Sequence, residues 1–208
     1  MQAGIKQVFK HGEALTILSR SIDPNLPTVM IEALKIMAAV CLIPPNGHEK
    51  ILEAITIGAE IEKRERFTPI IEGLRTNNDP LRVACLQLIN ALLSNNEDLD
   101  FRLHLRNEFF RCGFYDVWEK LCPNENQNNQ TQIKSNELIS VQLKVFNEAK
   151  DEDFEELSQR YENIRFDLDD VNECFQLIYN SVKNTPAEAH LLSILQHLLL
   201  IRDDTFAR

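Results

Sequence analysis

Apolar residues recur at helical spacing along the whole chain, and the polar positions between them mark where helices start and stop. The stretch Val83-Ala84-Cys85-Leu86-Gln87-Leu88-Ile89-Asn90-Ala91-Leu92-Leu93 follows the start signal Asp79-Pro80 and is apolar almost all round. A helix of that pattern is enclosed by its neighbours. Gln87, Asn90 and Ser94 nonetheless fall at i, i+3 and i+7 on one face. An amide buried without hydrogen bonds costs roughly 1–3 kcal/mol. The stripe therefore either satisfies neighbouring backbone carbonyls or lines a groove. Two more segments repeat the arrangement: Thr28 to Ile43 after Asp23-Pro24, and Pro186 to Ile201 after Asn184-Thr185, with Gln196 inside the second. Three enclosed helices with aligned polar or small faces predict an all-α stacked solenoid carrying a groove.

The remaining pattern fills in helices at Ile5 to Arg20, His48 to Gly58, Glu60 to Leu74, Leu99 to Arg111, Phe114 to Leu121 and Glu137 to Ala149. A long helical region opens at Asp151-Glu152-Asp153, where acidic residues suit a helix N-terminus, and runs to Val182 with a break near Asp167 to Asp170. Cys112-Gly113 reads as a helix C-cap. Pro123 to Ser135 (PNENQNNQTQIKS) is too polar to bury itself and reads as a flexible Asn/Gln-rich loop within a single domain spanning 1–208. Neither end carries the polar outer face of a solenoid cap, so the solenoid is expected to be partial.

Composition agrees. Hydrophobic residues make up 44% and charged residues 26% of 208 positions, and only six glycines are present, which argues against a β sandwich or barrel. The net charge of −10 and pI near 5.0 weigh against nucleic acid as a partner and favour a basic one. Lys63, Arg64 and Arg66 are interleaved with Glu60, Glu62 and Glu65, as on a helix surface with internal ion pairs. Five widely spaced cysteines (Cys41, Cys85, Cys112, Cys122 and Cys174) suit free thiols in a reducing compartment. No apolar run reaches the ~20 residues of a membrane span, and the opening residues have no apolar signal core. A cytosolic protein is expected.

Catalytic chemistry has little support. The histidines (His11, His48, His104, His190 and His197) are dispersed, and His190 and His197 share a face without an acidic or thiol partner at ligand spacing. No phosphate loop, GxSxG or HExxH occurs, and no cofactor or metal is implied. The better candidates are Gln87 and Asn90, with Ala39, Leu42 and Ile43 on the corresponding helix offering a small-then-apolar surface for a bound helix.

Gly73-Leu74, the run from Ala84 to Leu92, Asp98-Leu99-Asp100-Phe101-Arg102 and the run from Ser193 to Arg202 (SILQHLLLIR) closely resemble the third formin homology region of diaphanous-related formins. The likeness extends over Met30 to Leu42, Glu65-Arg66-Phe67 and Asp151-Glu152-Asp153-Phe154. It implies an armadillo-repeat, right-handed superhelix that binds the C-terminal autoregulatory helix of the same formin. That contact holds the actin-assembling half inactive until a Rho-family GTPase displaces the helix. The resemblance carries the groove onto Ala39, Leu42, Ile43, Gln87 and Asn90, and onto Gln196. The family's GTPase-binding segment precedes the residue matching Gly4, so direct GTPase contact is not expected of this chain. The competing reading is a general armadillo scaffold with an unrelated protein partner.

Overall fold

The computed structural model describes residues 12–94, 96–121, 137–161, 164, 166–167 and 170–201. All regular structure among the described residues is helical. The helices are α1 (Gly12–Ser19), α2 (Pro27–Cys41), α3 (Gly47–Glu62), α4 (Thr68–Arg75), α5 (Asp79–Ser94), α6 (Leu99–Arg111), α7 (Phe114–Leu121), α8 (Glu137–Arg160), α9 (Val171–Val182) and α10 (Ala187–Leu199). The chain divides into two compact units, Met1–Glu156 and Leu157–Arg208, with the division inside α8.

The first unit repeats a triplet of long, short and long helices. One triplet is α3, α4 and α5, of 16, 8 and 16 residues. The next is α6, α7 and α8, of 13, 8 and 24 residues. α5 occupies the centre, packing on α2 most extensively and also on α3, α4 and α6. Eleven of its residues are buried, among them Leu81, Cys85, Leu86, Leu88, Ile89 and Leu92. An apolar surface this continuous has no stable alternative to enclosure, since burying each large aliphatic side chain contributes about 1.5–3 kcal/mol.

Polar contacts set how one triplet meets the next. Arg66, in the turn before α4, forks onto Glu108 of α6, with Nε donating at 2.7 Å and Nη2 at 2.5 Å. Its Nη1 donates to Thr56 Oγ1 of α3 at 2.9 Å, and its guanidinium lies 4.8 Å from the Phe67 ring centroid. Phe67 in turn stacks on Phe109 of α6 at 4.1 Å. A planar fork satisfied on both sides fixes orientation as well as distance.

Three expectations need correction. Gly58 does not end a helix, and no helix runs from Glu60 to Leu74: α3 continues to Glu62, stops where Lys63 turns left-handed at φ 53°, and α4 starts afresh at Thr68. Gly58 instead lets α1 approach, since a Cβ there would sit 2.5 Å from Ser19 Oγ, which donates to the Ala54 carbonyl at 2.7 Å. Glu137–Arg160 is one helix without a restart at Asp151. No Gly or Pro interrupts it, and Asp153 is buried rather than spent at an N-terminus. The helix after Pro186 is not enclosed: neither α9 nor α10 has a buried residue. These two helices pack on each other and leave an open apolar cleft of about 500 Å³ lined by Phe175, Tyr179, Pro186, Leu191, Leu192 and Leu195. A two-helix hairpin has too few surfaces to cover both apolar faces. The expected helix before Gly12, the Asn/Gln-rich loop at 123–135 and Cys122 lie outside the described residues.

Gly58→Ala is expected to lower unfolding free energy by about 1–3 kcal/mol, the usual cost of overpacking. Urea denaturation of the two proteins measures it, and an unchanged midpoint would contradict the close α1–α3 approach.

Candidate functional site

The sequence candidates other than Gln196 lie on α2 and α5 or at the end of α2, in the first unit. α2 and α5 pack directly against each other, and α8 is joined to α5 by side chains. On α2, roughly 3.6 residues per turn place Ile36, Ala39, Leu42 and Ile43 on the face turned away from buried Met30, Leu34, Met37 and Cys41. Ile36 and Leu42 are exposed, while Ala39 and Ile43 are half-buried. Ala39 lies in the middle of that face and is its smallest side chain.

On α5, Gln87 is the one exposed side chain between Val83 and Leu93. The buried residues with the most residual exposure on this helix are Val83 at 7%, Asn90 at 9% and Ala91 at 9%. They flank Gln87 at i−4, i+3 and i+4, so the accessible edge of α5 is this line. Asn90 does not point freely outward. Its Nδ2 donates to the Gln142 carbonyl at 2.9 Å and to Gln142 Oε1 at 3.0 Å, tying α5 to α8. The two roles proposed for the amide stripe are divided between its members: Gln87 is accessible, and Asn90 satisfies a neighbouring helix.

Gln142 is the residue that sequence reasoning missed. Its signal is slight, one of two amides, with Asn147, in the largely apolar first half of α8. Around it Leu138, Val141 and Val145 are exposed at i−4, i−1 and i+3, opposite buried Ile139, Leu143 and Phe146. Further along the same outward side come exposed Glu148, Glu152 and Glu155. The surface therefore grades from aliphatic to acidic along α8. Gln196 is exposed on α10 and belongs to the second unit, described by itself.

The thiols near these helices are not activated. Burial pushes Cys41 up to about 12 and raises Cys85 further. Cys112 is raised first by burial and then by the adjacent Glu65 carboxylate. All three shifts favour the neutral thiol, a poor nucleophile and metal ligand. None of these three thiols is set up as a nucleophile.

The model of the Diaphanous FH3 Domain family matches residues 48–207. Similar proteins include protein diaphanous homolog 3 of Rattus norvegicus, 43% identical over 208 residues, covering 100% of this chain and 17% of that protein. Protein diaphanous homolog 2 of Mus musculus is 45% identical over 207 residues, 99% of this chain and 18% of its own. Protein diaphanous of Drosophila melanogaster is 42% identical over 200 residues, covering 92% and 18%. The chain belongs to the Diaphanous FH3 Domain family, with an all-helical, armadillo-like solenoid fold. It spans less than a fifth of the length of the curated relatives it matches.

Asn90→Ala removes both hydrogen bonds from Asn90 to Gln142 and is expected to cost about 1–2 kcal/mol in unfolding free energy. Gln87→Ala, at an exposed position, is expected to stay within about 0.5 kcal/mol. Parallel chemical denaturation checks the contrast, and equal losses at both sites would contradict the division of roles.

Proposed function

We propose that this chain is the regulatory protein-binding module of a diaphanous-like formin, and that the α2–α5–α8 face receives the formin's C-terminal autoregulatory helix. The observation that carries the reading is the continuity of that face. Apolar Ile36, Leu42 and Ile43 flank small Ala39, with the exposed Lys35–Glu32 pair one turn before it; an accessible amide stands at Gln87; aliphatic Leu138, Val141 and Val145 give way to Glu148, Glu152 and Glu155. An amphipathic helix with Leu-type anchors and a basic end is complementary to it in shape and in charge. The net charge of −10 supports the same sign of partner.

In this reading the occupied face keeps the actin-assembling half of the full formin inactive. A Rho-family GTPase acting through the rest of that protein releases it, and actin is a partner of the whole and not of this module. Residues 1–208 act as one regulatory region, with Ala39, Leu42, Ile43, Gln87 and Asn90 at the groove; Gln196 belongs to the second unit. The protein works in the cytoplasm beside the cytoskeleton. No helix of the described residues is long and apolar enough to cross a membrane.

Ala39→Asp places a charge where an apolar anchor must be desolvated, and is expected to weaken a basic, Leu-rich amphipathic peptide by on the order of a hundredfold, ~3 kcal/mol. Calorimetric titration measures it, with circular dichroism showing that the helices remain. Raising salt should weaken wild-type binding through the acidic stretch of α8. A peptide affinity indifferent to Ala39→Asp would favour a general scaffold with a different docking surface.

A further inference from the structure

α8 carries one wall of the proposed groove, yet most of what holds it is apolar. Ile139, Leu143 and Phe146 enter the core, and Phe146 meets Phe114 at 5.1 Å and Trp118 at 5.0 Å between ring centroids. Such contacts are strong but non-directional. They leave the helix's position along its own axis to be set by something else.

That position is defined by a buried charge cluster eleven residues beyond Gln142. Asp153 accepts from Arg102 Nε at 2.7 Å and from Arg106 Nη2 at 2.5 Å. The two arginines lie at i and i+4 on α6, and the side chains of Arg106 and Asp153 are only 3% and 6% exposed. Arg102 Nη2 also reaches Glu156 at 2.7 Å, and its Nη1 donates to the Asn96 carbonyl at 2.9 Å, just beyond the end of α5. Two guanidinium groups face two carboxylates, so the cluster is balanced in charge. Arg106 Nε and Nη1 are buried without hydrogen-bond partners, which leaves Asp153 as the carboxylate this guanidinium depends on.

The contacts form a closed circuit. It runs from the end of α5 through Arg102 to Asp153, about 16 Å along α8 at 1.5 Å per residue to Gln142, and back through Asn90 to α5. A slip of α8 by one turn, ~5.4 Å, would break both polar anchors at once. We propose that Asp153 is a positioning residue of the groove: by locking α8 against α6, it holds Gln142 at Asn90 and so fixes the spacing between the α5 and α8 walls. This rests on the α2–α5–α8 face being the binding surface, but the lock has its own readout.

The experiment uses the whole chain, the same basic, Leu-rich amphipathic peptide, and a double-mutant cycle between Asp153→Asn and Gln142→Ala. Asp153→Asn keeps the side-chain shape and removes the charge. It is expected to weaken peptide binding about tenfold alone and to add little in the Gln142→Ala background. In parallel, the side-chain amide protons of Asn90 should exchange faster with water in Asp153→Asn, observed by NMR without peptide. Arg102→Lys, which keeps the charge and removes the fork, should act in the same direction and serves where Asp153→Asn does not fold. Equal weakening in both backgrounds, or unchanged Asn90 protons in a folded variant, would overturn the lock. If wild type does not bind the peptide while the Asn90 protons still respond, the groove reading falls and the lock stands.

Discussion

The enclosure of α5 is the constraint on which the first unit depends. Its sequence leaves almost no polar side on which to rest against water, so α2, α3, α4 and α6 must gather around it. Once they do, between Val83 and Leu93 the line through Val83, Gln87, Asn90 and Ala91 is what stays near the surface. The groove and the core are therefore two sides of one helix. A polar residue on that line has two stable solutions. It can stand out to solvent as Gln87 does, or, like Asn90, find a partner on the next helix. A ligand lying across this line meets a surface that the core has already fixed.

The buried charges serve direction more than stability. An ion pair taken out of water repays little beyond its desolvation cost unless its geometry is good and its hydrogen bonds are complete. Arg66 meets that condition with Glu108, Thr56 and the Phe67 ring. Arg106 does so only in part, since two of its nitrogens lack partners, although its guanidinium lies 5.7 Å from the Phe146 ring centroid. Where apolar packing alone would allow helices to slide, these forks select one arrangement. The Arg66 fork stands between successive triplets, and the Arg106 contact joins the two long helices of one triplet.

Much of the fold was legible because helices announce themselves by period and by punctuation. Asp79-Pro80 and the cap at Gly113, with φ +91°, bounded their helices nearly where the sequence placed them. The failures share a cause: punctuation was read locally when tertiary contact decided. Gly58 was a packing contact for Ser19, Lys63 ended a helix without being Gly or Asn, and the acidic run at Asp151 to Asp153 continued a helix because Asp153 had two arginines waiting on α6. The triplet repeat was hidden for the same reason. Proline marks α2 and α5, but α8 begins without one, so the amide at Gln142 had no neighbouring signal. The resemblance to diaphanous-related formins pointed to α2 and α5 as the walls of the proposed groove. Periodicity could not separate the role of Gln87 from that of Asn90, since both sit on one stripe and only the hydrogen bonds to Gln142 distinguish them.

Shape and charge act at different places along this surface. Near Ala39 the face is apolar and partly recessed, so selectivity there comes from how closely an aliphatic anchor can approach before it meets Ile36, Leu42 and Ile43. Along the second half of α8 the carboxylates are exposed and screened by solvent, where individual ion pairs contribute little, typically about 0–1 kcal/mol. Their summed field still orients a basic segment during encounter. In the proposed complex, affinity would therefore reside mainly at the α2–α5 end, and rate and polarity at the α8 end. A helix docked in reverse would keep its apolar contacts but lose the match in charge. The acidic half of α8 would thus set direction along the proposed groove, whose floor is fixed by the packing of α5.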